Sequence, residues 1–292
     1  MLSKAAPWSP SPRGGAATAV RRLADEDTHA LAALAAADPV ANIFIAAHLE
    51  SSGTAAPTPA GAEVLGAFDA EGQLVSACWV GANIVPVGVT TGQARAYAEA
   101  IGASRRRFAS IFGPAEGTLA IFSELRGIAP REVRAEQPLL AIEGPPAVEP
   151  DPLVRVSTPE DFDSLAPACV SMFEEEVGYS PVAGGSENYY RRVRQLIASG
   201  HSFARFGDRG EVVFKAELGS VSAQASQVQG VWVAPERRGT GLSHGGMAAV
   251  VEHARRIAPV VSLYVNDYNH RARAAYRRVG FEQVGTFATV LF

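Results

Sequence analysis

Short apolar runs alternate with longer amphipathic stretches along most of this chain, and turns rich in Gly, Asp and Pro separate them. Short apolar runs bounded by such turns are typical of strands, while apolar positions recurring every three or four residues indicate helices. In the first half the pattern predicts strands over residues 64–68, 74–80, 83–89, 108–112 and 139–142 and helices over 92–101 and 118–125. In the second half it predicts strands over 202–206, 212–218, 227–234, 260–265 and 283–290 and helices over 243–257 and 271–279.

The two halves show the same order of elements, and a short sequence repeat introduces each of them. Each copy of the repeat reads as a short strand, a polar cap region and the start of a helix. The repeated residues are Val20-Arg21, Glu26-Asp27 and Leu31-Ala32 in the first copy and Val154-Arg155, Glu160-Asp161 and Leu165-Ala166 in the second. We therefore predict an α+β fold of two modules, each a mixed, mostly antiparallel sheet flanked by helices.

The module boundaries follow from composition. Residues 144–152 are rich in Pro and are expected to be a linker, so that the modules cover residues 18–143 and 153–292. Residues 1–17, also rich in Pro and Gly, are expected to be a disordered tail without the apolar core of a secretory signal.

Overall composition indicates a soluble protein. A length of 292 residues suits two domains, and an apolar fraction of 47% can fill a core in each. The net charge of −4 provides no basic field for nucleic acid or an anionic membrane, and no apolar run reaches membrane-spanning length. Cys78 and Cys169 lie among apolar neighbours, as buried free thiols do, and no histidine has metal-ligand spacing. We expect a cytoplasmic monomer or homodimer without a metal site.

The clearest candidate chemistry lies in residues 231–246. An apolar strand runs into Pro235, a turn containing arginines and glycines follows, and a helix then begins. Backbone N–H groups at a helix N-terminus lack intrahelical partners, and the helix dipole adds partial positive charge there. This arrangement predicts a site for a pyrophosphate group. The corresponding turn of the first half, residues 89–93, has one glycine and no arginine, so only the second module is predicted to bind.

The second half resembles the GNAT superfamily of acyl-CoA N-acyltransferases over residues 153–292. The run Arg238-Gly239-Thr240-Gly241-Leu242-Ser243 matches the superfamily's turn, except that Ser243 replaces the usual glycine or alanine. Downstream, Asn266, Asn269, Tyr276 and Gly280-Phe281 follow in the superfamily's order. The first half looks like a poorly characterised domain that precedes GNAT modules in some bacterial proteins, and like the silent copy of tandem GNAT enzymes.

The resemblance implies transfer of an acetyl group from acetyl-CoA to a primary amine of a small molecule or protein. Val231 and Val233, on the strand that also holds Trp232, would pair with the pantetheine amides, and an N–H near Val233 would stabilise the oxyanion. Asn266 and Asn269 would contact the pantetheine arm, and Tyr276 would protonate the departing thiolate. The diphosphate would lie on Arg237, Arg238, Gly239, Thr240, Gly241, Leu242 and Ser243.

The general base is not evident from the sequence. Family members often carry a glutamate on the strand that here holds Gln227 and Gln229, and glutamine cannot accept a proton. Glu217 and Glu175 are the candidate bases, unless water relays the proton. Glu174, Glu175, Glu176 and Tyr179 lie in the segment that recognises the acceptor in this family, and a carboxylate there could bind a cationic amine instead.

Structural roles and two other functions remain open at this point. Tyr276 could be an ordinary half-buried tyrosine, and Asn269 could simply cap its helix. The missing base is consistent with an acyl-CoA sensor that turns over little. A nucleotide-binding fold would use a similar turn, but the lysine that such a loop needs is absent, since Lys215 is far from it.

Overall fold

The structure is a computed structural model that describes residues 19–292, and the predicted tail over residues 1–17 lies outside them. The first half contains β1 (Val20–Arg22), β2 (Glu63–Phe68), β3 (Leu74–Val80), β4 (Asn83–Val87), β5 (Ser110–Pro114) and β6 (Glu132–Ile142). Its helices are α1 (Thr28–Ala36), α2 (Ile43–Ser52), α3 (Ala94–Ser104) and α4 (Ala115–Glu124).

The second half repeats this order. Its strands are β7 (Arg155–Val156), β8 (Ser202–Phe206), β9 (Val212–Val221), β10 (Ala225–Val233), β11 (Val260–Tyr264) and β12 (Glu282–Leu291). Its helices are α5 (Phe162–Val177), α6 (Glu187–Ala198), α7 (Leu242–Arg255) and α8 (His270–Val279). Every strand and helix predicted by number is present, with ends shifted by up to three residues, except that β6 begins seven residues before its predicted start at residue 139. The α+β prediction is confirmed.

The two copies of the sequence repeat form the same side-chain contacts. Arg21 forms a two-pronged ion pair with Asp27 at 2.7 and 2.8 Å, and Asp27 also accepts from the Ala24 N–H. In the second copy, Arg155 pairs with Asp161 at 2.6 and 2.8 Å in the same way, and Asp161 accepts from the Thr158 N–H. Each arginine also lies over a phenylalanine of its own module, Phe68 in one and Phe206 in the other. The two halves are therefore copies of one structural unit.

The two copies share one twelve-stranded sheet, which has the order β1-β2-β3-β4-β5-β12-β6-β11-β10-β9-β8-β7. The last strand of each copy is exchanged: β12 pairs with β5 of the first half, and β6 pairs with β11 of the second. The long strands β6 and β12 also pair antiparallel with each other, from Glu282–Ala141 to Leu291–Glu132. The sheet thus continues through the predicted linker boundary, because strands on either side of it cross into the other half.

In each copy, two neighbouring parallel strands pair only briefly. β10 pairs with β11 from Ala225 to Gln227 and then diverges from it. β4 pairs with β5 only at Asn83 and Ile84. The hydrophobic core beneath β10 is formed with α7, through buried residues such as Met247, Val250 and Val251. Cys78 and Cys169 are buried free thiols, as predicted. Within residues 19–292, no helix is both long and apolar enough to cross a membrane.

Candidate active site

A cavity of about 600 Å³ lies where β10 and β11 diverge. Its walls come from β9, β10 and β11 of the sheet and from α5, α6 and α8. The predicted site residues among its walls are Glu175, Glu176, Glu217, Val231, Trp232, Asn266, Asn269 and Tyr276. The divergence matters because it leaves β10 backbone groups beyond Gln227 without a partner on β11. Such groups can bind an extended ligand as a neighbouring strand would.

A bulge at Gly230 shapes the β10 side of this cavity. Gln229 pairs with Glu217 and Trp232 with Lys215, so that β10 has one more residue than β9 over this stretch. Gly230 has φ +58°, and a Cβ there would lie 3.2 Å from Glu217 Oε2 and 3.3 Å from Lys215 Nζ. Only glycine combines this backbone conformation with so close an approach.

The turn after β10 keeps its amide groups open. A 3₁₀ turn over Pro235–Arg237 leads through Gly239 and Gly241, at φ +81° and +83°, into α7. No side chain caps α7, and Gly241 occupies the N-cap position. Among the described residues, the N–H groups from Gly239 to Ser243 have no hydrogen-bond acceptor, and Gly239 to Gly241 are exposed. The local structure therefore has the free donors that the predicted diphosphate site requires.

The equivalent turn of the first half is closed by its own side chains. Gln93 Oε1 accepts from both the N–H and the hydroxyl of Thr90, and Glu116 accepts from the Thr91 N–H. Helix α4 also packs closely against the residues that follow β4. A Cβ on Gly117 would lie only 3.0 Å from the Val89 carbonyl oxygen. These contacts occupy the place where the second half has open amides and a cavity.

Arg238 and Glu175, predicted as a diphosphate ligand and a candidate base, bind each other. Arg238 NH2 contacts both Glu175 carboxylate oxygens at 2.7 and 2.9 Å, and its Nε donates to the Val233 carbonyl. Trp232 Nε1 also donates to Glu175 at 3.1 Å. Glu175 is thus held by two donors. Arg237 remains exposed beside the open turn.

Glu217, the other candidate base, is buried and paired with a lysine. Lys215 Nζ lies 2.5 Å from Glu217 Oε1, and the Cys169 thiol lies 3.5 Å from the same oxygen. Burial acts to raise the pKa of Glu217, but attraction to Lys215 and its hydrogen bonds hold that pKa below the ordinary value. Such a carboxylate is a weak base. The sequence analysis considered Glu217 as a base and Lys215 only in relation to the turn, and it missed their pairing.

Tyr276 lies on α8 with its side chain buried and lining the cavity. Burial raises the pKa of its hydroxyl well above the ordinary value, and the Glu176 carboxylate adds to the rise. The phenol is therefore protonated at neutral pH, as a proton donor must be.

Asn266 is held by residues from elsewhere in the sequence. Gln137 Nε2, on β6, donates to Asn266 Oδ1 at 2.8 Å, and Gln137 Oε1 accepts from the Thr289 hydroxyl on β12 at 2.6 Å. Asn269 is the N-cap of α8, where its Oδ1 accepts from the Ala272 N–H at 3.1 Å. The structure thus shows the helix-cap role of Asn269 and also places it in the cavity wall.

The remaining acceptor candidates divide between the cavity and the outside. Glu176 lines the cavity, with its Oε1 3.9 Å from Arg134 NH1. The structure does not bring Glu174 or Tyr179 into the cavity wall. Glu174 is exposed on α5, and Tyr179 packs outside against Phe173 and Arg131, since α5 ends at Gly178 and the chain turns away. Only the periodicity of α5 could have separated Glu174 from its two neighbours.

The fold and this site define a tandem α+β protein whose second copy carries an open strand–turn–helix anion site beside a cavity. Residues 170–281 match the profile of the Acetyltransferase (GNAT) family. Residues 62–165 match a domain of unknown function, DUF4081. The second half of the chain thus carries the profile of the GNAT acetyltransferases, and a DUF4081 domain precedes it. No curated protein matches the chain.

Solved structures with the same fold span almost the whole chain. A GCN5-related N-acetyltransferase from Sphaerobacter thermophilus is 19% identical, with a TM-score of 0.57 over 93% of this chain and 94% of its own. A GNAT-family acetyltransferase from Colwellia psychrerythraea is 13% identical, with a TM-score of 0.55 over 94% and 99%. A tandem GNAT protein from the clavulanic acid biosynthesis pathway is 16% identical, with a TM-score of 0.55 over 92% and 98%. At these identities the likeness is one of fold.

Proposed function

We propose that this protein is an acetyltransferase that moves the acetyl group of acetyl-CoA to a primary amine of a small molecule or protein. The observation that carries the proposal is the contrast between the two turns. The amides from Gly239 to Ser243 are open, whereas Gln93 and Glu116 close the equivalent turn of the first half. The match of the second half to the GNAT family profile supports the same conclusion.

The residues of the second half fit a CoA ester. The amides of the turn and the exposed Arg237 suit its diphosphate, because dipole and full charge act together there. Backbone groups of β10 beyond Gln227, including those of Val231, suit the amide-containing arm. Asn266 has its Oδ1 engaged by Gln137, which leaves its Nδ2 hydrogens to donate to a ligand. Acetyl-CoA would supply a thioester, which is an activated acyl donor.

Proton handling falls to Tyr276 and to the cavity. As the amine nitrogen bonds to the acetyl carbon, the C–S bond breaks and Tyr276 gives its proton to the sulfur. The proton lost by the amine passes to water in the cavity, since Glu175 and Glu217 are both engaged by cations. Glu176 is the cavity carboxylate with the weakest ion pair, and it is therefore placed to hold the incoming ammonium.

The test is binding followed by turnover. Acetyl-CoA at 100 times its dissociation constant should stabilise the protein by about 2.7 kcal/mol, and ATP should not. A panel of primary amines should then release CoA from acetyl-CoA, with the acetylated amine detected by mass spectrometry. Equal stabilisation by ATP, or the absence of any acetyl-CoA effect, would contradict the proposal.

The alternative is an acyl-CoA-binding regulatory protein with little turnover. One observation favours it: Gln229 stands where a base is expected, and the nearby Glu217 is neutralised by Lys215. Tight binding of acetyl-CoA without CoA release against any amine would support this alternative. A loss of CoA release in Tyr276→Phe, with binding retained, would support the enzyme.

A further inference from the structure

The charged side chains around the cavity are mostly neutralised by one another. Glu175 pairs with Arg238, Glu217 with Lys215, and Arg134 with Glu132 at 2.8 and 3.0 Å. Two charges of opposite sign are left facing the cavity. Arg192 has no ion-pair partner among residues 19–292, and Glu176 has only the long contact with Arg134.

Arg192 lies on the α6 side of the cavity. It is an exposed residue that lines the cavity together with Tyr189, Glu217 and Tyr264. Burial raises the pKa of Tyr264 to about 12, and Arg192 is close enough to act against this rise. Its charge also acts on Glu217, which is already paired with Lys215, so Arg192 lines the cavity without an ion pair of its own and suits an anionic ligand group.

Glu176 lies on the α5 side, next to the proton donor. It lines the cavity together with Tyr264 and Tyr276, and its negative charge adds to the raised pKa of both hydroxyls. An ammonium bound by Glu176 would therefore lie in the same cavity as Tyr276. The acceptor nitrogen must reach this cavity, because Tyr276 protonates the sulfur of the thioester that the nitrogen attacks. The cavity wall thus offers a negative charge on α5 and a positive charge on α6.

We infer that the acceptor is a small zwitterion of the amino-acid class, whose ammonium is held by Glu176 and whose carboxylate is held by Arg192. The inference rests on the proposed acetyl transfer and narrows its acceptor. In the transfer the ammonium first loses one proton to water in the cavity, and the neutral nitrogen then bonds to the acetyl carbon. The C–S bond breaks, Tyr276 protonates the sulfur, and the second proton of the nitrogen passes through water to the Tyr276 oxygen, while the carboxylate stays unchanged on Arg192. A simple alkylamine would leave Arg192 without a partner.

The test compares each acid with its own amide. The probes are alanine, β-alanine and γ-aminobutyrate, each beside the matching amide, with acetyl-CoA as donor. For at least one pair, kcat/KM should favour the acid by about 10-fold to 100-fold, the range expected for a hydrogen bond to a charged group. Arg192→Gln should abolish this preference and leave acetyl-CoA affinity unchanged.

Arg191 supplies the matched control. It is the neighbouring exposed arginine of α6, it pairs with Glu187, and it does not line the cavity. Arg191→Gln removes the same charge and should keep the preference for the acid. Arg192→Glu should reverse selectivity toward 1,4-diaminobutane, whose second ammonium would meet the new carboxylate.

The possible outcomes distinguish a failure of this inference from a failure of the proposed acetyl transfer. The zwitterion inference would be overturned if acids and amides were acetylated equally. It would also be overturned if Arg192→Gln and Arg191→Gln had the same effect. Either result would leave the proposed acetyl transfer intact. The inference would also fail if none of the six probes were acetylated while other amines were. Failure to bind acetyl-CoA, or to transfer acetyl to any amine, would instead overturn the proposed function.

Discussion

Gln137 donates a hydrogen bond to Asn266 at 2.8 Å, although the two residues come from different copies of the repeat. Gln137 is almost fully buried on β6, and it reaches Asn266 because β6 lies next to β11 in the sheet. Its carbonyl oxygen accepts from Thr289 on β12, so both exchanged strands position one residue of the cavity wall. The first half therefore contributes to the site without an anion-binding turn of its own.

Replacing Gln137 by leucine should weaken both the fold and the site. Asn266 and Thr289 would each lose a buried partner, at a cost of about 1–3 kcal/mol in the free energy of unfolding. Asn266 would no longer be oriented, so the affinity for acetyl-CoA should fall about tenfold, measured by calorimetry well below the unfolding temperature. Gln195→Leu, on the exposed side of α6, is the control. Unchanged affinity in Gln137→Leu would show that Asn266 does not touch the ligand.

Replacing Gly241 by alanine should impair the anion site through the backbone alone. At φ +83° an L-residue is strained by about 1–2 kcal/mol, while the nearest atom to an added Cβ is 3.8 Å away, so no clash arises. The turn should relax and misdirect its amides, which weakens acetyl-CoA binding. Gly92→Ala makes the same change in the first half, where φ is not positive and the space is open, and it should bind normally. Equal effects of the two variants would argue against the assignment of the site.

Replacing Tyr276 by phenylalanine should slow CoA release by about 100-fold or more while the affinity for acetyl-CoA is kept. Because burial raises the pKa of Tyr276 above its ordinary value of 10.0, the hydroxyl stays protonated below that pH. The wild-type rate should therefore show no decline caused by Tyr276 up to about pH 10. Tyr97→Phe removes another buried hydroxyl, one that bonds Ser76 in the first half, and it should leave the rate unaffected. A Tyr276→Phe variant with full activity would remove the proton donor from the mechanism.

Replacing Lys215 by methionine should destabilise the protein in a pH-dependent way. It leaves Glu217 buried without its counter-charge, at a cost of about 3–5 kcal/mol at neutral pH. In the wild type, burial acts to raise the pKa of Glu217, but Lys215 holds this pKa below 4.5. The ion pair therefore stabilises the fold above pH 4.5, and this stabilisation is lost as the pH falls through the lowered pKa. In the variant the largest opposing effect is lost, and burial, offset only by the Cys169 thiol and Arg192, raises the pKa of Glu217, so protonation relieves the cost as the pH falls.

Chemical denaturation at pH 7.5 and pH 5 checks this prediction. The deficit of Lys215→Met relative to wild type should shrink at the lower pH. Adding Glu217→Leu to the variant removes the buried charge and should recover part of the stability at pH 7.5. The same deficit at both pH values would mean that Glu217 takes up its proton outside this interval.

The sequence by itself determined what depends on neighbours along the chain. Periodicity located the strands and helices. The recurrence of Arg21 and Asp27 as Arg155 and Asp161 indicated that the two halves are copies of one structural unit. The glycines of the turn could be recognised because a positive φ and open amides are local properties. The place of Tyr276 in the cavity wall likewise follows from its local motif.

Only the tertiary structure decided which distant residues share the site. The exchange of β6 and β12 brings Gln137 and Arg134 to the second half, and no local pattern encodes the pairing of strands so far apart in sequence. Lys215 and Glu217 are two residues apart on β9, so their side chains lie on one face of the strand, but only the packing of other elements against that face buries the pair. Arg238 and Glu175 neutralise each other because α5 crosses the open end of β10. Sequence periodicity shows roughly where each element lies, but charge compensation depends on distances that exist only after the elements have packed.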